Sequence, residues 1–297
     1  MFQGVFTALI TPFKNGQIDE KSFVNLVKWQ IEQGVNGLVP CGTTGESPTV
    51  SYEEHNRIVT LCIEAADGRV PVIAGTGANN TQEAIMFTRH AKDAGADAAL
   101  IVSPYYNKPT QEGIFQHFKA IHDAVDIPII VYNIPGRSVI DITDDTMVRL
   151  AELKNIIGIK DATGDLARLS TLRARIKKPF TYLSGEDMTA ISFNAQGGAG
   201  CISVTANVAP KLCAEMHNEW FAGDAKKALE IHEKLVPLHE AMFCETSPAP
   251  AKYAASLMGL CSEEVRLPLV PPSDGAKEKV NNAMKKLGLN KLAKIKI

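Results

Sequence analysis

The side chain best placed for covalent chemistry is Lys160, which closes the apolar run 156–159. A lysine at the end of a buried strand would lie against an apolar wall rather than in water. Loss of water disfavours the ammonium form, and the free amine is a nucleophile that can form a Schiff base with a carbonyl compound. From its position alone, it is equally plausible that Lys160 instead extends its charge to solvent or pairs with Asp161.

Two further side chains follow a neighbouring apolar run, 127–131. Tyr132 could relay protons if a hydroxyl such as that of Thr43 lay beside it, although a strand-end tyrosine is more often only an amphipathic aromatic. Arg137 could hold a substrate carboxylate with two parallel hydrogen bonds, or it could form an ion pair at the surface. These residues suggest carbonyl chemistry on a small carboxylate.

Glycine-rich loops add backbone N–H groups, but the sequence lacks the motifs of nucleotide and metal sites. The loop Gly42–Gly45 suits a carboxylate or phosphate, yet it lacks the Gly-Lys-Ser/Thr ending of a P-loop. The segment 75–80 lacks the last glycine of a dinucleotide fingerprint. The seven histidines form no His-Glu-x-x-His motif, and we expect neither a metal nor an organic cofactor.

Eight short apolar runs alternate with amphipathic stretches and are expected to position these residues. Most of the runs are continuously apolar, which is typical of strands buried on both faces of a parallel sheet. Strand-then-helix units predict an α/β fold, either a (β/α)8 barrel, which we favour, or a doubly wound open sheet. In a barrel the candidate residues would meet at the carboxyl ends of the strands. The predicted strands are Gly4–Ile10, Gly37–Pro40, Val70–Ala74, Ala98–Val102, Ile129–Tyr132, Ile156–Lys160, Phe180–Ser184 and Gly200–Ser203.

The alternation ends near Gly223, and helical spacing continues beyond it. We therefore predict a catalytic barrel over residues 1–223 and a C-terminal helical domain over residues 224–297. Within the second, Pro250–Gly259 and Ala276–Leu287 are predicted helices, and Val265–Ser273, with three prolines, is predicted to be irregular. The lysine-rich tail 277–297 is interpreted as a solvated helix face. Earlier in the chain, Ser51 with Glu54 forms a capping-box pattern, and Thr81 is predicted to cap the third helix.

The composition excludes several classes of function. The 297 residues are 45% hydrophobic and 22% charged, with a formal net charge of −2, which excludes wholesale disorder and the basic excess of most nucleic-acid-binding proteins. No apolar run approaches the ~20 residues of a membrane helix, and the N-terminal segment, which lacks a basic start and breaks at Pro12, is not expected to act as a signal peptide. The six cysteines form no Cys-x-x-Cys pair, a pattern typical of reduced, cytoplasmic proteins.

Taken together, the motifs resemble those of the dihydrodipicolinate synthase family, within the pyruvate-dependent class I aldolases. The resemblance extends from about Gly4 to Pro272. It is specific because several motifs occur together. They are Gly42–Glu46, Tyr132–Arg137, Gly158–Asp161 and Ile202–Asn207.

The resemblance implies a (β/α)8 barrel with a C-terminal helical domain and a lyase of lysine and diaminopimelate biosynthesis. The implied reaction condenses pyruvate with aspartate semialdehyde through a lysine Schiff base to give 4-hydroxy-tetrahydrodipicolinate. It also implies a homo-oligomer, in which one tyrosine crosses between subunits, so that a dimer is needed. The usual assembly of the family is a tetramer, a dimer of dimers. The implied catalytic residues are Lys160 (Schiff base), Tyr132 (proton relay), Thr43 and Tyr106 (the crossing tyrosine); the implied substrate-binding residues are Thr44 (pyruvate carboxylate), Arg137 (semialdehyde carboxylate), Gly185 and Ile202.

Many members of the family are inhibited by lysine near the dimer interface, and part of that site is matched here. The matching residues are Ser47, His55, Asn79, Glu83 and Tyr105. Pro48 and Tyr52 depart from the small residue and the histidine often found there. Lysine inhibition is therefore an expectation to be tested.

Two alternatives remain open from the sequence. A sister pyruvate-dependent aldolase, such as N-acetylneuraminate lyase or a keto-sugar-acid aldolase, would share the lysine and the tyrosine, whereas Thr44 and Arg137 favour the synthase. A barrel that only binds small carboxylates is the second alternative. The joint presence of Lys160, Tyr132 and Thr43 argues against it.

Overall fold

The computed structural model describes residues 2–289. Within that range the strands are β1 (Gly4–Ala8), β2 (Phe13–Lys14), β3 (Gln17–Ile18), β4 (Gly37–Val39), β5 (Ile73–Gly75), β6 (Ala98–Val102), β7 (Ile129–Asn133), β8 (Ile156–Asp161), β9 (Thr181–Ser184) and β10 (Gly200–Ser203). The α-helices are α1 (Glu20–Glu32), α2 (Tyr52–Ala66), α3 (Thr81–Ala94), α4 (Gln111–Ala124), α5 (Pro135–Ser138), α6 (Asp144–Ala151), α7 (Leu166–Arg175), α8 (Ala190–Ala195), α9 (Pro210–Phe221), α10 (Ala225–Met242), α11 (Ala249–Leu257) and α12 (Asp274–Lys286).

The chain forms two compact units. The first comprises Val72–Ile202 with the described part of Met1–Gln3, and the second comprises Gly4–Pro71 with the described part of Ser203–Ile297. The domain boundary predicted between residues 223 and 224 stays a prediction. No helix in the described range is long and apolar enough to cross a membrane.

The first unit is built on parallel strands, each followed by a helix. Its strands neighbour one another in the order β5, β6, β7, β8, β9, β10. Residues such as Ile101, Val131 and Ile159 are fully buried and belong to one apolar cluster with Phe118 of α4 and Leu169 of α7. Because strand side chains alternate between faces, the neighbours of Ile159 along β8 face away from this helix-covered side.

The second unit contains the parallel pair β1 and β4, the antiparallel hairpin β2–β3, and the helices from α9 onward. The predicted helical repeat of α10 is confirmed by its buried positions, which are Ala228, Ile231, Leu235, Leu238 and Met242. The two later helices are confirmed with bounds shifted by one to two residues. The segment between α11 and α12 contains no helix or strand, as its prolines predicted. Of the basic tail, residues 290–297 lie outside the described residues.

Differences from the predicted elements are local and have physical causes. The capping box of Ser51 and Glu54 is present. The third helix, however, begins at Thr81 and is capped by Asn80, whose side chain accepts a hydrogen bond from the Gln82 N–H, so the prediction of Thr81 as cap was wrong. The hairpin β2–β3 was not predicted, because two-residue strands carry no periodicity signal.

Candidate active site

Lys160 and Tyr132 lie side by side on adjacent parallel strands. They are register partners of β8 and β7, with 7% and 5% of their surfaces exposed. The Lys160 Nζ lies 4.0 Å from the centre of the Tyr132 ring. Among residues 2–289, Lys160 forms no hydrogen bond and no ion pair within the described chain. The amine is therefore enclosed, next to an aromatic ring, and not held by a carboxylate.

This pairing depends on a register shift between the two strands. Ile129 pairs with Ile156, but Ile130 pairs with Gly158, so one extra residue of β8 is accommodated. Without the shift, Tyr132 would pair with Ile159, whose side chain lies on the opposite face of β8. The irregularity thus brings the phenol and the amine to the same face.

Gly185 lies against the Lys160 side chain. A Cβ at Gly185 would lie 3.0 Å from the Lys160 Cε and 2.7 Å from the Ala162 Cβ, which is too close for an undisturbed side chain. The Gly185 N–H donates to the Asp161 carbonyl at 2.6 Å. Ile202 is 1% exposed and follows Cys201, the register partner of Ser184. These two positions, which the family resemblance implies to be substrate-binding, therefore lie at the carboxyl ends of β9 and β10. The first of these strands neighbours β8, which carries Lys160.

A carboxylate to which the sequence assigns no role also lies near Lys160, just after the carboxyl end of β9. Glu186 is half-buried, and burial raises the pKa of its carboxyl, while the positive charge of Lys160 acts in the opposite direction. Its position after β9 was visible in the sequence, but its proximity to Lys160 was not. It places an acidic side chain near the amine.

An ionic network anchors the carboxyl end of β8. Asp161 accepts hydrogen bonds from the Thr163 N–H at 2.9 Å and hydroxyl at 2.6 Å. The Arg168 Nε lies 3.3 Å from the Asp161 carboxylate, and the Arg168 Nη1 lies 3.0 Å from Asp141. Burial raises the pKa of Asp161, while Thr163 and Arg168 oppose that rise. Because Asp161 directly follows Lys160, this network fixes the backbone that carries the amine. It also contradicts the alternative that Lys160 pairs with Asp161, whose partner is Arg168.

The remaining predicted residues of the first unit lie in loops or short helices. Arg137 lies on α5 and is exposed. Tyr106 is 87% exposed and has a positive φ of 72°, a conformation that non-glycine residues seldom adopt. A large aromatic side chain so exposed has most of its surface available to a partner.

In the second unit, Thr43 and Thr44 lie in a short 3₁₀ helix, Thr43–Gly45, which begins after three residues that follow β4. Thr44 is buried and Thr43 is half-buried. Glu46 ends the turn with a φ of 57°.

The five residues matched to the lysine site divide between the units. In the first, Asn79, Glu83 and Tyr105 come together: burial and the charge of Glu83 raise the pKa of Tyr105, and a hydrogen bond from the Asn79 backbone opposes this. In the second, Ser47 is half-buried and His55 is buried on α2.

Within the described range no group of three or more His, Cys, Asp or Glu residues could hold a metal ion. None of the six cysteines, all within residues 2–289, forms a disulfide. Burial raises the pKa of Cys261 to about 12 and that of Cys41 further still, so these two thiols are not nucleophiles at neutral pH.

Comparison with known proteins gives a consistent result. The model of the dihydrodipicolinate synthetase family matches residues 1–287. The chain belongs to this family. It is 64% identical to the 4-hydroxy-tetrahydrodipicolinate synthase of Parvibaculum lavamentivorans over 289 residues, which are 97% of this chain and 99% of the relative.

Solved structures of the family have the same fold. The chloride-inhibited dihydrodipicolinate synthase of Acinetobacter baumannii, complexed with pyruvate, is 49% identical and has a TM-score of 0.95, covering 97% of this chain and 100% of that one. The enzyme of Cyanidioschyzon merolae with lysine bound is 37% identical and has a TM-score of 0.94, with coverages of 97% and 99%. The predicted fold class, a (β/α)8 barrel with C-terminal helices, is confirmed. The predicted enzyme activity, that of a 4-hydroxy-tetrahydrodipicolinate synthase, is confirmed as well.

Proposed function

We propose that Lys160 is the Schiff-base lysine and that this chain condenses pyruvate with aspartate semialdehyde. The observation that carries the proposal is the Lys160 amine, 7% exposed and 4.0 Å from the Tyr132 ring, with no ion pair among the described residues. A lysine nitrogen that is not held in a salt bridge is available to bond to a carbonyl carbon. The pyruvate complex of the Acinetobacter baumannii relative supports the choice of keto acid.

The proposed reaction has four steps. The Lys160 nitrogen adds to the keto carbon of pyruvate, and loss of water gives the protonated imine. The imine accepts the electron pair released when a methyl proton leaves, which gives an enamine. The enamine carbon attacks the aldehyde carbon of aspartate semialdehyde, and the amino group of the product then adds to the imine carbon and releases the lysine amine. The imine supplies the electron sink, so the scheme uses no cofactor.

The remaining roles follow the family resemblance and the chemistry of each group. Tyr132 relays protons to and from the carbinolamine, with Thr43 and Tyr106 completing the relay. Thr44 binds the pyruvate carboxylate, and Arg137 binds the carboxylate of the semialdehyde. Gly185 and Ile202 line the pocket with backbone. The close approach of Gly185 to Lys160 supports its assignment.

Borohydride trapping with pyruvate tests the central step. We expect a stable mass increase on the peptide that contains Lys160, and none in Lys160→Ala. A trapped adduct that persists in Lys160→Ala would refute the assignment. Turnover with sialic acid in place of the two substrates, at a rate above that with pyruvate and aspartate semialdehyde, would favour a sister aldolase instead.

The functional assembly is proposed to be a homo-oligomer, a dimer of dimers, in the cytoplasm. The 87% exposure of Tyr106 supports a subunit contact at that side chain. The free cysteines support a reducing compartment. The residues 1–223 are proposed to form the catalytic domain and 224–297 the helical domain.

Lysine is proposed to inhibit the enzyme through the site that includes Asn79, Glu83 and Tyr105. The lysine-bound relative from Cyanidioschyzon merolae supports this, and so does the proximity of Tyr105 to the Glu83 carboxylate and the Asn79 backbone. A dose–response assay up to millimolar lysine tests it. A flat curve would remove the proposal.

A further inference from the structure

A buried ion pair joins the end of the Gly42–Glu46 loop to a C-terminal helix. The Lys252 Nζ of α11 lies 2.7 Å from the Glu46 Oε1, and both side chains are 0% exposed. The two residues are 206 positions apart in the sequence and belong to the same compact unit. A salt bridge so completely removed from water is unusual, because each charge loses its hydration.

The surroundings of the pair satisfy both carboxylate oxygens. The backbone N–H of Arg266 donates to the Glu46 Oε2 at 3.0 Å. The Lys252 Nζ lies 4.1 Å from the centre of the Phe13 ring, and the Arg266 guanidinium lies 4.3 Å from the same ring. Burial lowers the pKa of Lys252, and the charge of Glu46 opposes this. The pair is thus a fixed set of short, directional bonds.

Glu46 is also part of the turn that carries the two threonines. Its N–H donates to the Thr43 carbonyl at 3.1 Å, and the Gly45 N–H donates to the Gly42 carbonyl at 3.0 Å. The Thr11 hydroxyl donates to the Gly45 carbonyl at 2.7 Å. Since the Glu46 backbone is in the left-handed region, its side-chain anchors hold a conformation that a non-glycine residue seldom adopts alone.

Stability by itself does not explain two buried charges at this position. An apolar pair of similar volume commonly stabilises a protein as well as a buried ion pair or better. What charges add is a defined bond length and direction. That property is useful where a backbone must be held within a fraction of an ångström of a productive geometry.

We propose that Glu46 and Lys252 are positioning residues that fix the Thr43–Gly45 turn, so that α11 sets the alignment of Thr43 and Thr44 toward pyruvate. This inference rests on the proposed function of those two threonines. In this proposal neither Glu46 nor Lys252 touches the substrate. The effect is exerted through the backbone of the turn.

Two variants test the proposal. Glu46→Asp keeps the charge pair but shortens the side chain by one methylene, so that the turn must move or the bond must lengthen. The double variant Glu46→Gln with Lys252→Met removes both charges and leaves no unpaired ion. Lys277→Met is the matched control: it breaks a surface ion pair with Glu263, 2.9 Å long, in the same C-terminal region.

The kinetic readout separates positioning from simple loss of folded protein. Partial unfolding lowers the concentration of active enzyme and thus the apparent kcat, but it leaves each KM unchanged. We expect both test variants to raise the KM for pyruvate by about fivefold or more, and to leave the KM for aspartate semialdehyde within about twofold. The control should match the wild type. A smaller rise in the pyruvate KM in Glu46→Asp, or equal rises for both substrates, would overturn the proposal.

Hydrogen exchange provides a readout that needs no substrate. Exchange should accelerate in the peptide covering residues 42–47 in both test variants, and remain unchanged in the strands of the first unit. Unchanged exchange in that peptide would overturn the positioning role. Wild-type turnover is measured in parallel. If the wild type does not turn over pyruvate and aspartate semialdehyde, the proposed function fails, and the exchange data still decide whether the pair holds the turn.

Discussion

Each compact unit contains a buried lysine next to an aromatic ring, and the two lysines differ in whether a carboxylate forms a salt bridge with them. Lys252 in the second unit lies 4.1 Å from the Phe13 ring and is paired with Glu46 at 2.7 Å. Lys160 in the first unit lies 4.0 Å from the Tyr132 ring and forms no salt bridge with a described residue, although its charge interacts with that of Glu186. A lysine nitrogen in a short salt bridge is fixed by its partner, whereas one without a salt bridge is available to bond to a substrate carbonyl carbon. The difference separates a structural lysine from a candidate nucleophile.

The comparison is tested most strongly by replacing the unpaired lysine. In Lys160→Met we expect kcat with pyruvate and aspartate semialdehyde to fall by about 10⁴-fold or more, because the atom that bonds to the substrate is lost. The melting temperature should stay close to that of the wild type or rise, because no salt bridge is broken. Steady-state kinetics and thermal unfolding on the same preparation check both. A residual rate near that of the wild type would contradict the assignment of Lys160 as the reacting amine.

The paired lysine should respond in the opposite way. In Lys252→Met the Glu46 carboxylate stays buried without its counter-charge, so the free energy of unfolding should fall by about 3–5 kcal/mol. Urea denaturation of this variant beside Lys160→Met measures the difference. Equal stability of the two variants would show that the carboxylate does not distinguish the two lysines.

A third buried titratable group extends the comparison to pH. His117 on α4 lies 2.9 Å from the Thr81 hydroxyl, and burial lowers its pKa from 6.5 to about 4. Between these two pH values the unfolded chain binds a proton that the folded chain does not. The contribution of neutral His117 to the free energy of unfolding is therefore fully present above pH 6.5. It is lost as the pH falls toward 4, by up to about 3 kcal/mol.

Urea midpoints of the wild type and His117→Gln between pH 7 and 4 test this assignment. The variant should lose less stability over this range than the wild type. Parallel curves for the two proteins would exclude His117 as the source.

The smallest expected effect concerns the backbone beside Lys160. In Gly185→Ala the new methyl group would lie 2.7 Å from the Ala162 Cβ and 3.0 Å from the Lys160 Cε, so the segment 160–162 that carries the amine or the Lys160 side chain itself must shift. We expect kcat/KM for pyruvate to fall by about tenfold to a hundredfold. Gly275→Ala on α12 is the control, because its new methyl would meet no atom closer than 4.0 Å. Kinetics of Gly185→Ala that equal those of the control would show that Lys160 tolerates displacement.

Much of the architecture was predictable because its signals are local. Continuous apolar runs located the eight parallel strands to within a few residues, and spacing located the helices from α10 onward. Lys160 was identified by the apolar run before it. Lys252 was not identified, because a lysine on a helix is ordinarily solvent-exposed. The residues next to it in the sequence give no indication of its contact with Glu46, 206 residues away.

The sequence by itself determined which side chains stand at the carboxyl ends of strands, since strand period and apolar runs are properties of neighbouring residues. Only the tertiary structure decided which of them meet. A one-residue register shift between β7 and β8 pairs Tyr132 with Lys160 rather than with Ile159. The fold gives Lys252 a salt bridge to Glu46, whereas Lys160 forms no salt bridge within residues 2–289. Register and charge pairing depend on atoms brought together from distant parts of the chain, and local sequence carries no record of them.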